Sequence, residues 1–315
     1  MLTKRIFLIV IGILISLIIL EVGLNLLNYP YVGCDSITSV SEKRLGKYDP
    51  NLGWGYKEYN SNIENGIEYI FNEEGYRSDN KDSKTDFSKP IVIIVGNSVI
   101  FGHGINFNET FGYRLQSKLG DKYQVINMAV QGYGLDQVYI KLEKVIKKYK
   151  PKFVITDFID DYDVRNGNRD RRTLFRCASF SATKPQFSLS KNGLVLRYLP
   201  VKYEKYDSPK IRLVWWRLID EINLKQVDKH ELTKRIYIKL EQLVNNNNAT
   251  LLVINYWSKI RDFQSHNGSN VTEIRMNEMN EKMLKDDFHP NSKGAKLMFD
   301  KFWNLNSKLF LNETK

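Results

Sequence analysis

The residues best suited to chemistry lie in two short stretches that are far apart in the chain. Near the C-terminus, Asp286 lies three residues before His289, a spacing that lets one loop carry a general base and the carboxylate that orients it. Ser98, which follows the apolar run Ile91–Val95, is a candidate nucleophile. The chain has four histidines, and only His289 has an acid at this spacing. These residues predict nucleophilic catalysis at a serine.

The run Ile91–Val95 is the element that must position Ser98. Its residues are all β-branched, which is typical of a central strand buried on both faces of a parallel sheet. Open α/β sheets build their sites at the carboxyl ends of such strands, and Ser98 would lie there. If a helix begins soon after Ser98, its free N–H groups favour negative charge nearby. Taken alone, the stretch also fits a serine that only caps a helix.

From Pro90 onward, strand patterns alternate with helix patterns, which predicts an α/β fold with a central parallel sheet. The predicted strands are Ile91–Val95, Tyr123–Asn127, Phe153–Phe158 and Thr250–Tyr256. The predicted helices are Thr110–Leu119, Leu135–Tyr149, Ile211–Ile222, Glu231–Val244, Ser292–Leu305 and one near Glu273–Leu284.

Three motifs resemble, in their order, those of the SGNH or GDSL-type esterases and acylhydrolases. Ser98 lies in Gly-Asn-Ser after the first strand, where that family usually has Gly-Asp-Ser. Gly132 lies in the stretch NMAVQGYG, which is similar to the block whose glycine N–H lines the oxyanion hole. Asp286 and His289 form the third motif. The resemblance covers roughly residues 90–311 and implies a three-layer α/β/α, flavodoxin-like domain, with backbone N–H groups of Ser98 and Gly132 binding the oxyanion.

The resemblance also implies an oxyanion donor that this chain lacks. The family has an asparagine after the third strand, and this sequence has Asp160 there or, alternatively, Asp161. An ionised carboxylate cannot donate, and losing one such donor costs about a hundred- to a thousand-fold in rate. Three interpretations are open: the acid is protonated and still donates, Asn166 or Asn168 takes the role, or the enzyme is slow or inactive.

The N-terminal segment predicts a membrane anchor. Ile6–Leu27 spans roughly 30 Å as a helix, at about 1.5 Å per residue, which is enough to cross a bilayer. Lys4 and Arg5 precede it, and the next basic residue is Lys43, so the positive-inside rule places the N-terminus in the cytoplasm. No small-residue cleavage signature follows, which favours a retained anchor and an extracytoplasmic domain.

The chain is predicted to have three parts: an anchor at 1–28, a loop-rich juxtamembrane segment at 29–88, and the hydrolase domain at 89–315. In the second part, Tyr48–Trp54 and Phe71–Arg77 resemble the lead-in of membrane-anchored members of the family. An insertion around residues 165–206 contains two alternating runs joined at Asn-Gly, which predicts a hairpin. The insertion either lies over the site and shapes substrate choice or is a surface hairpin.

Composition narrows the classes of partner. The net charge is +11, but the lysines are scattered and no nucleic-acid motif accompanies them, so we predict no nucleic-acid partner. Cys34 and Cys177 lack metal-ligand spacing, so we predict no metal site and no cofactor; they either pair outside the cytoplasm or remain buried thiols. The loop after the first strand lacks G-x-G-x-x-G and the P-loop lysine, which disfavours nucleotide binding.

These features predict a membrane-anchored serine esterase or acylhydrolase. The resemblance and the location together imply O-acyl esters as substrates, with acetyl groups on cell-envelope carbohydrate as the expected case. One alternative is an O-acyltransferase, which uses the same serine chemistry with a sugar hydroxyl in place of water. The alternative from another class is a non-catalytic envelope protein that binds a glycan or a partner in the cleft.

Overall fold

A computed structural model describes residues 2–26, 45–169, 183–191, 193–202, 228–256, 270–274, 279, 283–284 and 288–312. The predicted orienting acid Asp286, both cysteines (Cys34 and Cys177) and the predicted helix Ile211–Ile222 lie outside these ranges. Helices and strands are numbered below in chain order.

The first helix, α1 (Leu2–Leu26), contains a stretch, Thr3–Gly23, that is long and apolar enough to cross a membrane. Its apolar side chains, among them Phe7 and Leu8, are exposed rather than packed against the rest of the protein. A membrane span and a signal sequence near the N-terminus both have these properties.

An eight-stranded sheet forms the centre of the fold, in the order β12-β11-β8-β6-β7-β5-β4-β3. Its strands are β3 (Asn60–Glu64), β4 (Ile67–Phe71), β5 (Arg77–Ser78), β6 (Ile91–Val95), β7 (Gln124–Asn127), β8 (Phe153–Phe158), β11 (Thr250–Tyr256) and β12 (Asn270–Ile274). The five strands from β12 to β7 are parallel, and β5, β4 and β3 extend the sheet in antiparallel fashion. Counted along the chain, the parallel strands follow the flavodoxin-like order 2-1-3-4-5.

The central strands are buried because helices cover both faces of the sheet. Every residue of β6 and of β8 is buried, as the unbroken apolar run predicts for β6. On one face, α3 (Phe111–Leu119) packs against α7 (Ser292–Asn312), with the Phe111 and Phe302 rings 5.0 Å apart. On the other lie α4 (Leu135–Tyr149), α5 (Asp161–Gly167) and α6 (Lys229–Asn245). The predicted three-layer α/β/α class is confirmed.

One predicted helix does not begin where expected. At the start of the helix predicted near Glu273–Leu284, Glu273 and Ile274 belong to β12, which pairs in parallel with β11, for example Val271 beside Val253. Residues 275–278 and 280–282 of that prediction lie outside the described residues. The segment Asn270–Ile274 contains β-branched residues, and the edge of a growing parallel sheet offers them backbone partners.

Two hairpins lie beside the main sheet. The first pairs β1 (Gly46–Asp49) with β2 (Gly53–Tyr56), and the second pairs β9 (Gln186–Ser190) with β10 (Gly193–Arg197), inside the predicted insertion. The insertion is fastened to α4, because Lys184 and Asp136 form a fully buried ion pair. The base of the insertion, residues 183–187, is therefore packed into the domain, whereas Val195 and Tyr198, farther along the chain, are exposed.

Candidate active site

Ser98 and His289 meet at the carboxyl edge of the parallel sheet. Ser98 is the first residue of a one-turn helix, α2 (Ser98–Phe101), which directly follows β6. Its hydroxyl Oγ lies 2.8 Å from His289 Nε2, although the two residues are 191 positions apart in sequence. Ser98 is 6% exposed, so its hydroxyl is largely shielded from water. A serine hydroxyl in hydrogen-bond contact with an imidazole nitrogen is the arrangement that activates a serine nucleophile.

Hydrogen bonds on both sides of His289 hold its loop. Tyr256, the last residue of β11, donates its hydroxyl to the Phe288 carbonyl at 3.0 Å. Asn291 caps α7, since its Oδ1 accepts from Lys293 N at 2.9 Å. His289 thus lies between a strand end and a capped helix start, which fixes the backbone that carries its ring. Its predicted orienting partner Asp286 lies outside the described residues.

The turn around Ser98 uses nearly all of its N–H groups. Asn97 Oδ1 accepts from Val99 N at 2.7 Å, and Asp157 accepts from Asn97 N at 3.2 Å and from Ile100 N at 3.3 Å. Among the described residues, Ser98 N has no protein acceptor. The backbone therefore offers one unused donor beside the hydroxyl of Ser98.

The loop that carries Gly132 follows β7 and lies beside the Ser98 turn. Strands β6 and β7 are parallel, with Ile94 opposite Asn127, so their carboxyl ends share one edge. Val130 N donates to the Gly96 carbonyl at 3.1 Å, which ties this loop to the turn two residues before Ser98. Gly132 has a φ of +77°, in the left-handed region that favours glycine.

Side chains of the first hairpin hold the Gly132 loop from outside. Trp54 Nε1 donates to the Gln131 carbonyl at 3.0 Å, and Gln131 N donates to the Tyr56 hydroxyl at 3.2 Å. Tyr133 then donates its hydroxyl to the Trp54 carbonyl at 2.6 Å. The lead-in segment therefore supports both residues that flank Gly132.

His103 is a residue of the site that sequence reasoning missed. Its backbone N donates to the Ser98 carbonyl at 3.0 Å, and its ring centroid lies 4.6 Å from that of His289, edge to face. The side-chain nitrogen of Gln131 is hydrogen-bonded to His103 Nδ1. The available signal was its position, five residues after Ser98 between two glycines, which places it at the end of the Ser98 turn.

Arg77 holds the loop that carries His103. Its guanidinium is buried and donates to the carbonyls of Phe101, at 2.9 Å, and Ile105, at 2.6 Å, on both sides of that histidine. Burial lowers the pKa of Arg77 to about 10. The lead-in residue Arg77 therefore positions the chain just after the Ser98 turn.

The structure describes all four residues considered for the missing amide donor after β8. Asp160 is exposed at the start of α5, and Asp161 accepts from the Arg165 guanidinium at 3.2 Å. Asn166 is fully buried, donates to Thr233 Oγ1 at 2.9 Å and accepts from Asp136 N at 3.2 Å. Its amide is engaged in joining helices. Asn168 is also buried.

No group of three or more His, Cys, Asp or Glu side chains in the described residues could hold a metal ion.

Comparison with known proteins gives distant structural likenesses. No family model matches the chain, and no curated protein matches it. The psychrotrophic esterase EstA from Pseudoalteromonas sp. is 13% identical, with 71% of this chain and 100% of that chain covered and a TM-score of 0.45. The Clostridium thermocellum family 3 carbohydrate esterase is 10% identical, with 72% and 100% covered and a TM-score of 0.43.

A lipolytic protein of the G-D-S-L family from Desulfitobacterium hafniense is 13% identical, with 69% of this chain and 99% of that chain covered and a TM-score of 0.41. The chain is similar to the SGNH-type esterases. Likenesses at this distance do not show what the protein does.

Proposed function

We propose that the protein is a serine esterase or acylhydrolase that acts on O-acyl esters. The observation that carries the proposal is the 2.8 Å contact between Ser98 Oγ and His289 Nε2 at the carboxyl edge of the sheet. A metal-independent acyl transfer needs a nucleophile, a base and N–H donors for the oxyanion. Ser98, His289 and the N–H groups of Ser98 and Gly132 fill these roles.

In the proposed reaction, the Ser98 hydroxyl gives its proton to His289 as its oxygen attacks the ester carbonyl. The oxyanion accepts hydrogen bonds from the backbone N–H groups of Ser98 and Gly132. The bond to the alcohol breaks as His289 returns the proton to the leaving oxygen, which leaves Ser98 acylated. His289 then deprotonates water, whose attack releases the acid and restores Ser98. Asp286 is the proposed orienter of His289.

We propose acetyl groups on envelope carbohydrate as the substrate. Two half-buried polar side chains, His103 and Gln131, lie next to His289, which must reach the leaving alcohol. Hydrogen-bonding groups at that position suit a polyhydroxyl alcohol better than an alkyl one. An acetylated oligosaccharide should therefore give a higher kcat/KM than ethyl acetate, and equal values would contradict this substrate class.

The decisive experiment is covalent labelling of the full chain with a fluorophosphonate. The wild type should be labelled at Ser98, and Ser98→Ala should abolish labelling and lower the turnover of a short-chain aryl ester by at least about a thousand-fold. His289→Ala should do nearly the same. Ser88→Ala, which removes an exposed serine, is the matched control and should behave as wild type. An inert but folded wild type would favour the glycan- or partner-binding alternative.

We propose that α1 is a retained anchor and that the remainder of the chain lies outside the cytoplasm. The support is the apolar stretch Thr3–Gly23 and the basic residues Lys4 and Arg5 close to the N-terminus. A reporter that is active only in the cytoplasm, fused after Lys315, should be silent. A strong signal from that fusion would contradict the orientation.

A further inference from the structure

Asp157 is a buried carboxylate that the proposed reaction does not use. It is the fifth residue of β8 and is fully buried. One oxygen accepts from the Tyr162 hydroxyl at 2.9 Å and from Asn97 N at 3.2 Å, and the other accepts from Ile100 N at 3.3 Å. Burying a carboxylate is costly unless donors satisfy it, so a role for these bonds is expected.

Two of the three donors belong to the turn that carries Ser98. Asn97 precedes Ser98 by one residue and Ile100 follows it by two, so Asp157 accepts hydrogen bonds from the turn on both sides of the proposed nucleophile. The turn packs so closely against Asp157 that there is no room for a side chain at Gly96. A Cβ placed on Gly96 would lie 2.3 Å from Asp157 Oδ1.

Tyr162 completes the arrangement from α5. Its hydroxyl donates to Asp157 and lies 3.1 Å from Asn97 Nδ2, which donates to it. The side chain of Asn97 in turn accepts from Val99 N. Asp157, Tyr162 and Asn97 therefore form one buried network beneath Ser98.

We propose that Asp157 is a positioning residue for the nucleophile: its two oxygens hold the N–H groups of Asn97 and Ile100 and thereby aim the Ser98 hydroxyl at His289. The activity readouts rest on the proposed esterase function. A carboxylate is suited to this role because both oxygens accept, whereas a neutral acid turns one oxygen into a donor that faces another donor. The bond to Ile100, at 3.3 Å, is the longest of the three.

The charge on Asp157 therefore matters to the turn. Burial raises the pKa of Asp157 to about 6, against the opposing effects of its hydrogen bonds and of the Arg165 charge. Tyr162 and Arg165, both on α5, are the titratable or charged groups that bear on it in the described part of the chain. Below about pH 6 the carboxylate gains a proton, and its hydrogen bonds to the N–H groups of Asn97 and Ile100 weaken.

Protonation of Asp157 has opposite effects on the stability of the fold and on the positioning of the Ser98 turn. Because the folded-state pKa is raised, proton binding favours the fold, and that contribution is fully present below the ordinary pKa of 3.8 and is lost as the pH rises from there through about 6. Asp157→Asn removes the titrating group, so the variant does not show this loss of stability with rising pH. A lower kcat of the folded variant at pH 8 therefore does not come from a loss of stability caused by removing the charge.

The test compares kcat and KM of the full chain for a short-chain aryl ester between pH 5 and 9. Asp157→Asn should lower kcat by about ten- to a hundred-fold, as misplacement of a reacting atom does, with KM within about three-fold. The steepness with which kcat falls toward low pH is compared between the two proteins. The fall of wild-type kcat toward low pH should be steeper than the uptake of a single proton can produce. The fall of kcat in Asp157→Asn should be shallower than that of the wild type. Asp163→Asn, on α5 and facing His230, is the control and should match wild type.

Tyr162→Phe is the second variant, because it keeps the ring that packs on Phe158 and removes only the hydroxyl. It should lower kcat by about three- to ten-fold, as the loss of one hydrogen bond would. If Asp157→Asn fails to fold, this variant and the wild-type steepness decide. Unchanged kcat and unchanged steepness, or an effect on KM alone, would overturn the proposal.

A wild type inert toward both ester and fluorophosphonate withdraws the proposed function and leaves the grip on the turn to be tested by hydrogen exchange. The amides of Asn97 and Ile100 should then exchange faster in Asp157→Asn than in wild type. Equal exchange rates would overturn the positioning role on their own.

Discussion

The turn after β6 and the turn after β8 leave the same edge of the sheet but use their polar groups differently. After β6, Ser98 presents its hydroxyl to His289 while the neighbouring N–H groups are bound. After β8, Asp160 is exposed and Asn166 bonds to other helices. In the proposed reaction, the first turn carries the nucleophile, whereas Asn166 of the second turn joins helices within the fold.

The two neighbouring strand ends are also in direct contact, because residues at the end of β8 support the turn after β6. Asp157, at the end of β8, and Tyr162, at the start of α5, bind the first turn from beneath. A turn that served as the oxyanion donor would have to point its amide into the cleft. In this chain, Asn166 uses its amide for buried partners, so the proposed reaction assigns the oxyanion to backbone donors.

The largest effects on stability and labelling should come from Gly96→Ala, which changes the contact between the two turns. The added Cβ would lie 2.3 Å from Asp157 Oδ1 and 2.6 Å from Ile100 Cγ2, so the two turns must move apart. We expect the free energy of unfolding to fall by about 1–3 kcal/mol and the fluorophosphonate labelling rate to fall at least about a hundred-fold. Chemical denaturation and labelling measure the two effects.

Gly55→Ala is the matched control, because nothing lies within 4 Å of the added Cβ. It should change stability by less than about 0.5 kcal/mol and leave labelling unchanged. Equal behaviour of the two glycine variants would mean that the turns are not in tight contact.

The next effect should come from Asp160→Asn, which restores the amide that the family resemblance implies. Turnover should rise, by up to about a hundred-fold, because a neutral donor replaces a carboxylate that repels the oxyanion. Measurement of kcat across pH checks this, with Asp163→Asn, on the same helix, as the control. A fall in turnover would instead favour donation by a protonated Asp160.

If Asp160→Asn leaves kcat unchanged at every pH, the side chain does not reach the oxyanion. The backbone N–H groups of Ser98 and Gly132 would then be the donors, and the turn after β8 would have only a supporting role.

The sequence predicted the central strands because burial on both faces imposes an unbroken apolar run. Ile91–Val95, Phe153–Phe158 and Thr250–Tyr256 appear with the predicted bounds. The edge strand Asn270–Ile274 was missed because its short, half-polar pattern does not distinguish a strand from a loop or helix without its partner β11. The sequence placed Ser98 and His289 as candidates, and their catalytic roles stay a prediction.

The support for the site could not be predicted, because it depends on residues that meet only in the fold. Asp157 reads as part of a buried strand, and nothing in its spacing reports that the Ser98 turn lies above it. Trp54 and Arg77 come from the lead-in segment, far from the residues they hold. His103 was passed over because no acid precedes it at a catalytic spacing.

The smallest effect on activity should come from Asn166→Ala, which tests the supporting role of the turn after β8. The variant loses the bond to Thr233 and the bond from Asp136 N, both buried, so the free energy of unfolding should fall by about 1–3 kcal/mol. The fluorophosphonate labelling rate should stay within about three-fold of wild type, because the amide does not face Ser98. Thr233→Val, alone and combined with Asn166→Ala, isolates the coupling between the two side chains in a double-mutant cycle. A hundred-fold loss of labelling without loss of stability would make Asn166 the oxyanion donor, and the contrast between the two turns would fail.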